Sequence, residues 1–137
     1  NNKTNTYRIA GLSASSTYKF RVKTFVFSGK KAVYSQYAYI NGKTNPRNIT
    51  GLRIGGTAKD ALRLKWNRNS GASGYIVERY NGKKWVKVKK ITSNKTTTLR
   101  IKKLASKKNY KFRVKAYSFD GNTPLYSGYS YISGTTK

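Results

Sequence analysis

The chain has 137 residues, with 30 Lys and Arg against 3 Asp and Glu, so its net charge is 30 − 3 = +27. Cys and His are both absent, which excludes disulfides, thiolate nucleophiles, Cys/His zinc clusters and any Ser-His-Asp triad. A charge far above the roughly 2 to 8 of a small soluble domain makes the chain repel itself and attract polyanions: nucleic acid, anionic polysaccharide, a teichoic-acid-bearing wall or an acidic membrane surface.

The aromatic content, 12 Tyr, 5 Phe and 2 Trp, together with Thr, Val and Ile, suits pleated, half-buried surfaces. No long stretch combines helical spacing with capping signals, so the class is predicted to be all-β. No apolar run is long enough to span a bilayer, and no signal-peptide pattern stands at Asn1. In chain order, three strands are expected first: Thr4 to Ala10, Thr17 to Phe25 and Val33 to Lys43. A boundary follows at Thr44-Asn45-Pro46-Arg47, where Pro ends one pattern before the next begins.

Residues 46–137 then read as seven short strands. Ile49 to Ile54 is the first, broken by Gly55-Gly56. Ala61 to Trp66 alternates, with Leu62, Leu64 and Trp66 inward and Arg63 and Lys65 outward. Asn67 to Gly74 is a polar turn. Tyr75 to Tyr80 is joined through Asn81-Gly82, a strong hairpin signal, to Trp85 to Val88. Thr96 to Lys102 follows, with Leu99 and Ile101 inward. Tyr110 to Tyr117 leads through the Asp120-Gly121 turn to a last strand, Tyr126 to Thr135.

Shifting the chain against itself by 92 positions aligns residues 1–45 with 93–137 without a gap, with 22 identities in 45 pairs. The hexapeptide Tyr18-Lys19-Phe20-Arg21-Val22-Lys23 returns unchanged at Tyr110-Lys111-Phe112-Arg113-Val114-Lys115. A period near 90 residues means tandem domains. Residues 1–45 repeat only the last three of the seven strands, and three strands with one apolar face have nothing of their own to bury it against. Truncation or proteolysis of a longer protein is the favoured expectation. Strands supplied by a noncovalent fragment, or by another copy through open edges, are the alternative.

These marks resemble the fibronectin type III module: the Trp66 strand, Gly74-Tyr75-x-Val77, Leu104 six residues before Tyr110, Tyr110-x-Phe112-x-Val114-x-Ala116, the Gly121 turn and Ser127 before the last strand. They recur at Leu12, Tyr18, Phe20, Val22, Gly29 and Ser35. The resemblance covers 46–137 as a whole module and 1–45 as the C-terminal half of another, with strands E, F and G. It implies tandem Ig-like β-sandwiches with strands A, B and E in one sheet and C′, C, F and G in the other. Tyr18 and Tyr110 would be corner tyrosines, their hydroxyls bonded to nearby backbone. The Lys-rich, Cys-free style is similar to modules appended to secreted or surface proteins of Gram-positive bacteria, which implies a secreted or cell-surface location.

No catalytic set is visible. The three carboxylates are Asp60 and Asp120, which suit turns, and Glu78, which lies on a strand and is expected to pair with Lys or Arg across the sheet. No cofactor is implied, and no cluster of oxygen ligands suits a hard cation. The candidate site is the basic strand face, Lys111, Arg113 and Lys115, with Lys19, Arg21 and Lys23 in the first unit. Beside it stand Tyr37 and Tyr39, Tyr129 and Tyr131, and Trp85 near the hairpin. A strip of Tyr and Arg suits an acidic glycan. The plainer reading is that alternating cations keep a strand wet and unpaired, since Arg63, Lys65, Arg100 and Lys102 make the opposite sheet basic too. The tyrosines would then simply pack across strands. The expected function is a non-enzymatic spacer or adhesion module that meets anionic wall or acidic polysaccharide through distributed charge. A nucleic-acid binder, or an accessory fragment of a larger extracellular enzyme, is the alternative. Three Asn-x-Thr sequons, at Asn2, Asn48 and Asn94, would matter only in a eukaryotic secretory pathway.

Overall fold

The structure, a computed structural model, describes residues 4–137. Asn2 and its sequon lie outside the described residues. The chain divides into two units, 1–44 and 45–137.

The second unit is a two-sheet sandwich. One sheet holds β5 (Arg53–Thr57), β6 (Leu62–Lys65) and β9 (Thr98–Ile101), in that order and antiparallel. The other is built on the long β10 (Asn109–Asp120). On one side of β10 lie β7 (Gly74–Tyr80) and then β8 (Trp85–Ile91). Along its other side run, in succession, β11 (Thr123–Tyr126) and β12 (Ser130–Thr135). Period-two alternation places Leu62 and Leu64, Tyr75 and Val77, Phe112 and Val114 between the sheets, all essentially without solvent contact. Trp66 closes this core and meets the Tyr75 ring at 5.3 Å.

Two expected elements of this unit come out differently. The first strand is Arg53–Thr57, not Ile49 to Ile54, and it runs through Gly55-Gly56 with a bulge between Ile54 and Gly56. Ile49 is buried but lies outside any strand. The bulge absorbs the irregularity that glycine pairs were expected to turn into a break. The last strand is two strands, because Ser127 interrupts it. The Ser127 hydroxyl accepts the Ala116 N–H at 2.9 Å and donates to the Gly128 carbonyl at 2.7 Å, replacing ladder bonds with side-chain ones.

In the first unit, β1 (Thr17–Val22) pairs with β4 (Ala38–Lys43), and β2 (Phe25–Ser28) pairs with β3 (Lys31–Tyr34). Thr4 to Ala10 is not a strand. Its repeat counterpart β9 pairs with β6, and residues 1–44 contain no equivalent of β6, so the segment has no ladder to join. The same logic explains the break between β1 and β2. The equivalents of Lys23 and Thr24, Lys115 and Ala116, are held extended by pairing with Ile76 and Tyr75 of β7. Without a β7, one 12-residue strand becomes two short ones. The core face is also uncovered: Val22 is 67% exposed and Ile40 68%, whereas Val114 is fully buried and Ile132 partly so.

Candidate functional site

The outer face of the β10 sheet is built by the same alternation that fills the core. With Phe112 and Val114 inward, Lys111, Arg113 and Lys115 point out, and Glu78 on β7 and Tyr131 on β12 stand directly beside Arg113 in register. Arg113 Nε donates to Glu78 Oε2 at 2.5 Å, with the two side chains only 19% and 16% exposed. The guanidinium lies 3.8 Å from the centre of the Tyr129 ring and 4.6 Å from that of Trp85. Trp85 meets Tyr131 edge to face at 5.7 Å and Tyr80 at 5.4 Å. Desolvation, the largest single influence on Arg113, would lower its pKa. The hydrogen bond and charge of Glu78, together with Tyr129 and Tyr131, outweigh it, so the pKa is raised.

The row continues with Lys115, whose Nζ is 4.2 Å from the Tyr126 ring centre and 4.8 Å from that of Tyr129. Tyr129 and Tyr131 lie 6.2 Å apart. Cation and ring thus alternate along the face, each contact of the kind worth about 0.5–1 kcal/mol at exposed sites. Lys111 is exposed at the end of the row and lines, with Trp85 and Tyr131, a shallow groove of about 350 Å³.

The first unit repeats the ladder. Arg21 lies 4.2 Å from the Tyr37 ring centre, and Lys23 lies 3.8 Å from that of Tyr34 and 5.0 Å from that of Tyr37. Tyr37 and Tyr39 are 6.1 Å apart, and Lys19 is exposed. Residues 1–44 contain no acidic residue and no Trp, so Arg21 stacks without the carboxylate that holds Arg113. The structure therefore brings together Trp85, Arg113, Lys115, Tyr129 and Tyr131 in one unit and Arg21, Lys23, Tyr37 and Tyr39 in the other.

Each of the two corner tyrosines accepts a backbone hydrogen bond five residues upstream: Tyr110 from Ala105 N–H at 2.8 Å and Tyr18 from Ser13 N–H at 2.9 Å. Sequence reasoning missed the partners that pin these corners. Thr136 Oγ1 accepts from Lys108 N–H at 3.1 Å and donates to the Ala105 carbonyl at 2.6 Å. Thr44 does the same with Ser16 at 3.0 Å and Ser13 at 2.6 Å. The ring platforms Tyr34 and Tyr126 were missed as well. All were visible as identities in the 92-residue repeat. The sequon residues Asn48 and Asn94 also hold the fold: Asn48 Oδ1 accepts from Gly128 N–H at 2.8 Å, and Asn94 Nδ2 donates to the Ala72 carbonyl at 2.8 Å.

Two facing antiparallel sheets with a Trp at the core and a corner tyrosine entering the central strand define an Ig-like β-sandwich. The sequence profile of the fibronectin type III domain matches residues 44–131, and the chain belongs to that family. Its modules commonly serve as spacers and adhesion units and are typically non-catalytic scaffolds. Solved structures share the fold at low identity. A protein called FN3tt is 21% identical, covering 68% of this chain and 96% of its own at a TM-score of 0.54. The fn3 domain of the human collagen alpha-1(XX) chain is 15% identical, covering 69% and 89% at 0.56. A computationally redesigned β-sandwich protein is 18% identical, covering 65% and 88% at 0.54. No curated protein matches the chain by sequence. Among the described residues, no helix is long and apolar enough to cross a membrane.

Proposed function

We propose that the chain is a non-enzymatic spacer and adhesion module of a secreted or cell-surface protein, of the kind found in Gram-positive bacteria, that holds anionic wall polymer or acidic polysaccharide. The observation that carries this reading is the ladder of stacked cations, present on the outer sheet face of both units. A cation on a ring keeps its charge and its outward N–H donors, so, apart from Arg113 with its Glu78 partner, the ladder is a preordered row of positive charge rather than a set of neutralised pairs. Because the contacts are exposed and spread along a face, binding is electrostatic and weakens steeply as the Debye length shrinks, to about 10 Å at 0.1 M salt. Retention on intact cell walls and on walls stripped of teichoic acid, across a salt gradient, tests it. Stronger retention on intact walls and release at moderate salt are expected; equal retention on both would sink the reading.

A further inference from the structure

At the Lys111 end of the row, the second unit has a concavity of about 610 Å³ between the β7–β8 hairpin and the segment joining β9 to β10. Its cationic lining is Arg79, Lys103, Lys108 and Lys111, and no carboxylate lines it. Its aromatic lining is Tyr80 at the hairpin and, across from it in the lining, the corner residue Tyr110. Arg79 lies 5.6 Å and Lys108 5.9 Å from the centre of that ring, and the Tyr110 hydroxyl is fixed by the Ala105 N–H. The cations therefore gather around a rigid anchor instead of trailing into solvent.

The internal repeat shows that two of these charges, Lys103 and Lys108, are not required by the corner. The joining segment carries Lys102, Lys103, Lys107 and Lys108 where the first unit has Ala10, Gly11, Ser15 and Ser16. The corner is the same in both units, down to the tyrosine and threonine hydrogen bonds. Gly11 adopts φ +75°, and its counterpart Lys103 is held at +58°. A left-handed conformation suits glycine and disfavours lysine. A lysine there works against local stability, and strain of this kind is a pointer to function.

We propose that this concavity is a dedicated binding site for a flexible polymer bearing closely spaced oxyanions on a sugar or polyol backbone. The proposal rests on the polyanion reading above and sharpens it from a charged face to one place. Arg79 offers a guanidinium fork to an oxyanion, and Lys103, Lys108 and Lys111 act as point charges around it. Asn81 spends its carbonyl on the Lys83 and Lys84 N–H groups, and Asn109 spends its amide on Thr135. The amide N–H groups of Asn81 and the carbonyl of Asn109 remain for hydroxyls on the backbone. Of the two rings here, Tyr110 is flanked by cations and Tyr80 packs on Trp85 at 5.4 Å, which disfavours nucleic acid, since single-stranded binders need successive open ring faces.

The test uses the full chain and two double variants that remove equal charge. Lys103→Gly with Lys108→Ser restores the first unit's residues at both positions and relieves the left-handed backbone at Lys103, leaving that at Lys107 unchanged, so the fold is retained. Lys87→Ser with Lys89→Ser removes two exposed cations from β8. Binding of poly(glycerol phosphate), dextran sulfate, polygalacturonate and a thymidine oligonucleotide is measured for each. We expect the first double variant to bind at least one of the first three polymers about tenfold more weakly, and the second to stay within about twofold, the tenfold loss corresponding to 1.4 kcal/mol. The polymer most affected identifies phosphate, sulfate or carboxylate as the source of the oxyanion. Equal weakening by both variants would overturn the site while leaving distributed charge intact. Failure of the unmodified chain to bind any of the three would overturn the underlying reading. Tightest, site-dependent binding of the oligonucleotide would overturn the assignment to a sugar or polyol polymer.

Discussion

Phe20 and Phe112 occupy the same place in an identical hexapeptide, yet the structure gives them different work. Phe112 is completely buried between the sheets, whereas Phe20 is half-buried on a face whose neighbours Val22 and Ile40 are open to water. Phe112→Ala should therefore cost about 3–5 kcal/mol, the usual range for a core Phe that leaves a cavity. A unit of this size holds about 5–14 kcal/mol in all, at about 0.05–0.15 kcal/mol per residue. At about 4–8 °C per kcal/mol for a domain of this length, the unfolding midpoint should fall by about 12 °C at least. Trp66 and Trp85 both lie in the second unit, so tryptophan fluorescence reports its unfolding alone. Phe20→Ala removes a ring already partly in water and should cost less than about 1 kcal/mol. Amide exchange resolves the pair: β10 amides should exchange about a hundredfold faster or more in Phe112→Ala, and β1 amides less than about fivefold faster in Phe20→Ala. Strong protection of β1 in the unmodified chain, matched to that of β10, would refute the reasoning.

Three further outcomes follow from single contacts. Tyr110→Phe leaves the Ala105 N–H without its 2.8 Å acceptor and should lower stability by about 0.5–1.5 kcal/mol, read by urea unfolding of the second unit. Gly74→Ala should be among the most damaging substitutions, at about 1–3 kcal/mol or more: a Cβ there would sit 1.9 Å from the Ile91 carbonyl oxygen and force β7 from β8, lowering the melting temperature and strand signal together. Burial raises the Tyr117 pKa above its ordinary 10.0, and its hydroxyl donates to the buried Ile91 carbonyl at 3.3 Å. A raised folded-state pKa means that this contribution is fully present below pH 10 and is lost as pH climbs through the folded value. Stability measured across that range should fall, and Tyr117→Phe should flatten the slope.

Alternation was the legible part of the sequence. A period of two along Leu62–Trp66 and Tyr110–Ala116 is enough to say which side chains meet, because a strand offers only two faces. The repeat added the corner, since Leu104, Tyr110 and Thr136 recur as Leu12, Tyr18 and Thr44. Strand ends were less legible because they depend on partners. Thr4 to Ala10 has strand-like residues but no neighbouring strand, and Lys23-Thr24 breaks although Lys115-Ala116 does not. The ladder was half visible. Tyr129 and Tyr131 could be placed on the basic face by parity, but the lean of Trp85 toward Tyr131 across two intervening strands depends on side-chain conformation, which the pattern does not encode. The concavity at Tyr110 was not legible, because it joins a hairpin and a loop about twenty to thirty residues apart in sequence.

How a chain with ten basic residues for each acidic one keeps a folded sheet bears on how it would meet a polyanion. One-to-one ion pairs could engage at most three of its cations, and like charges even face each other directly, as Arg63 and Arg100 do across β6 and β9. The tyrosines supply a different solution. A ring face attracts a cation through its quadrupole without adding a negative charge. Arg21, Lys23, Lys90, Arg113 and Lys115 all lie over rings within 5.0 Å of at least one centre. Local attraction then offsets part of the repulsion while the distant field remains strongly positive. Arg113 marks the limit of this strategy: its side chain is only 19% exposed, and it also takes Glu78. Where enclosure is smaller, as at Arg21, the ring alone suffices and the positive charge stays available to an approaching anion.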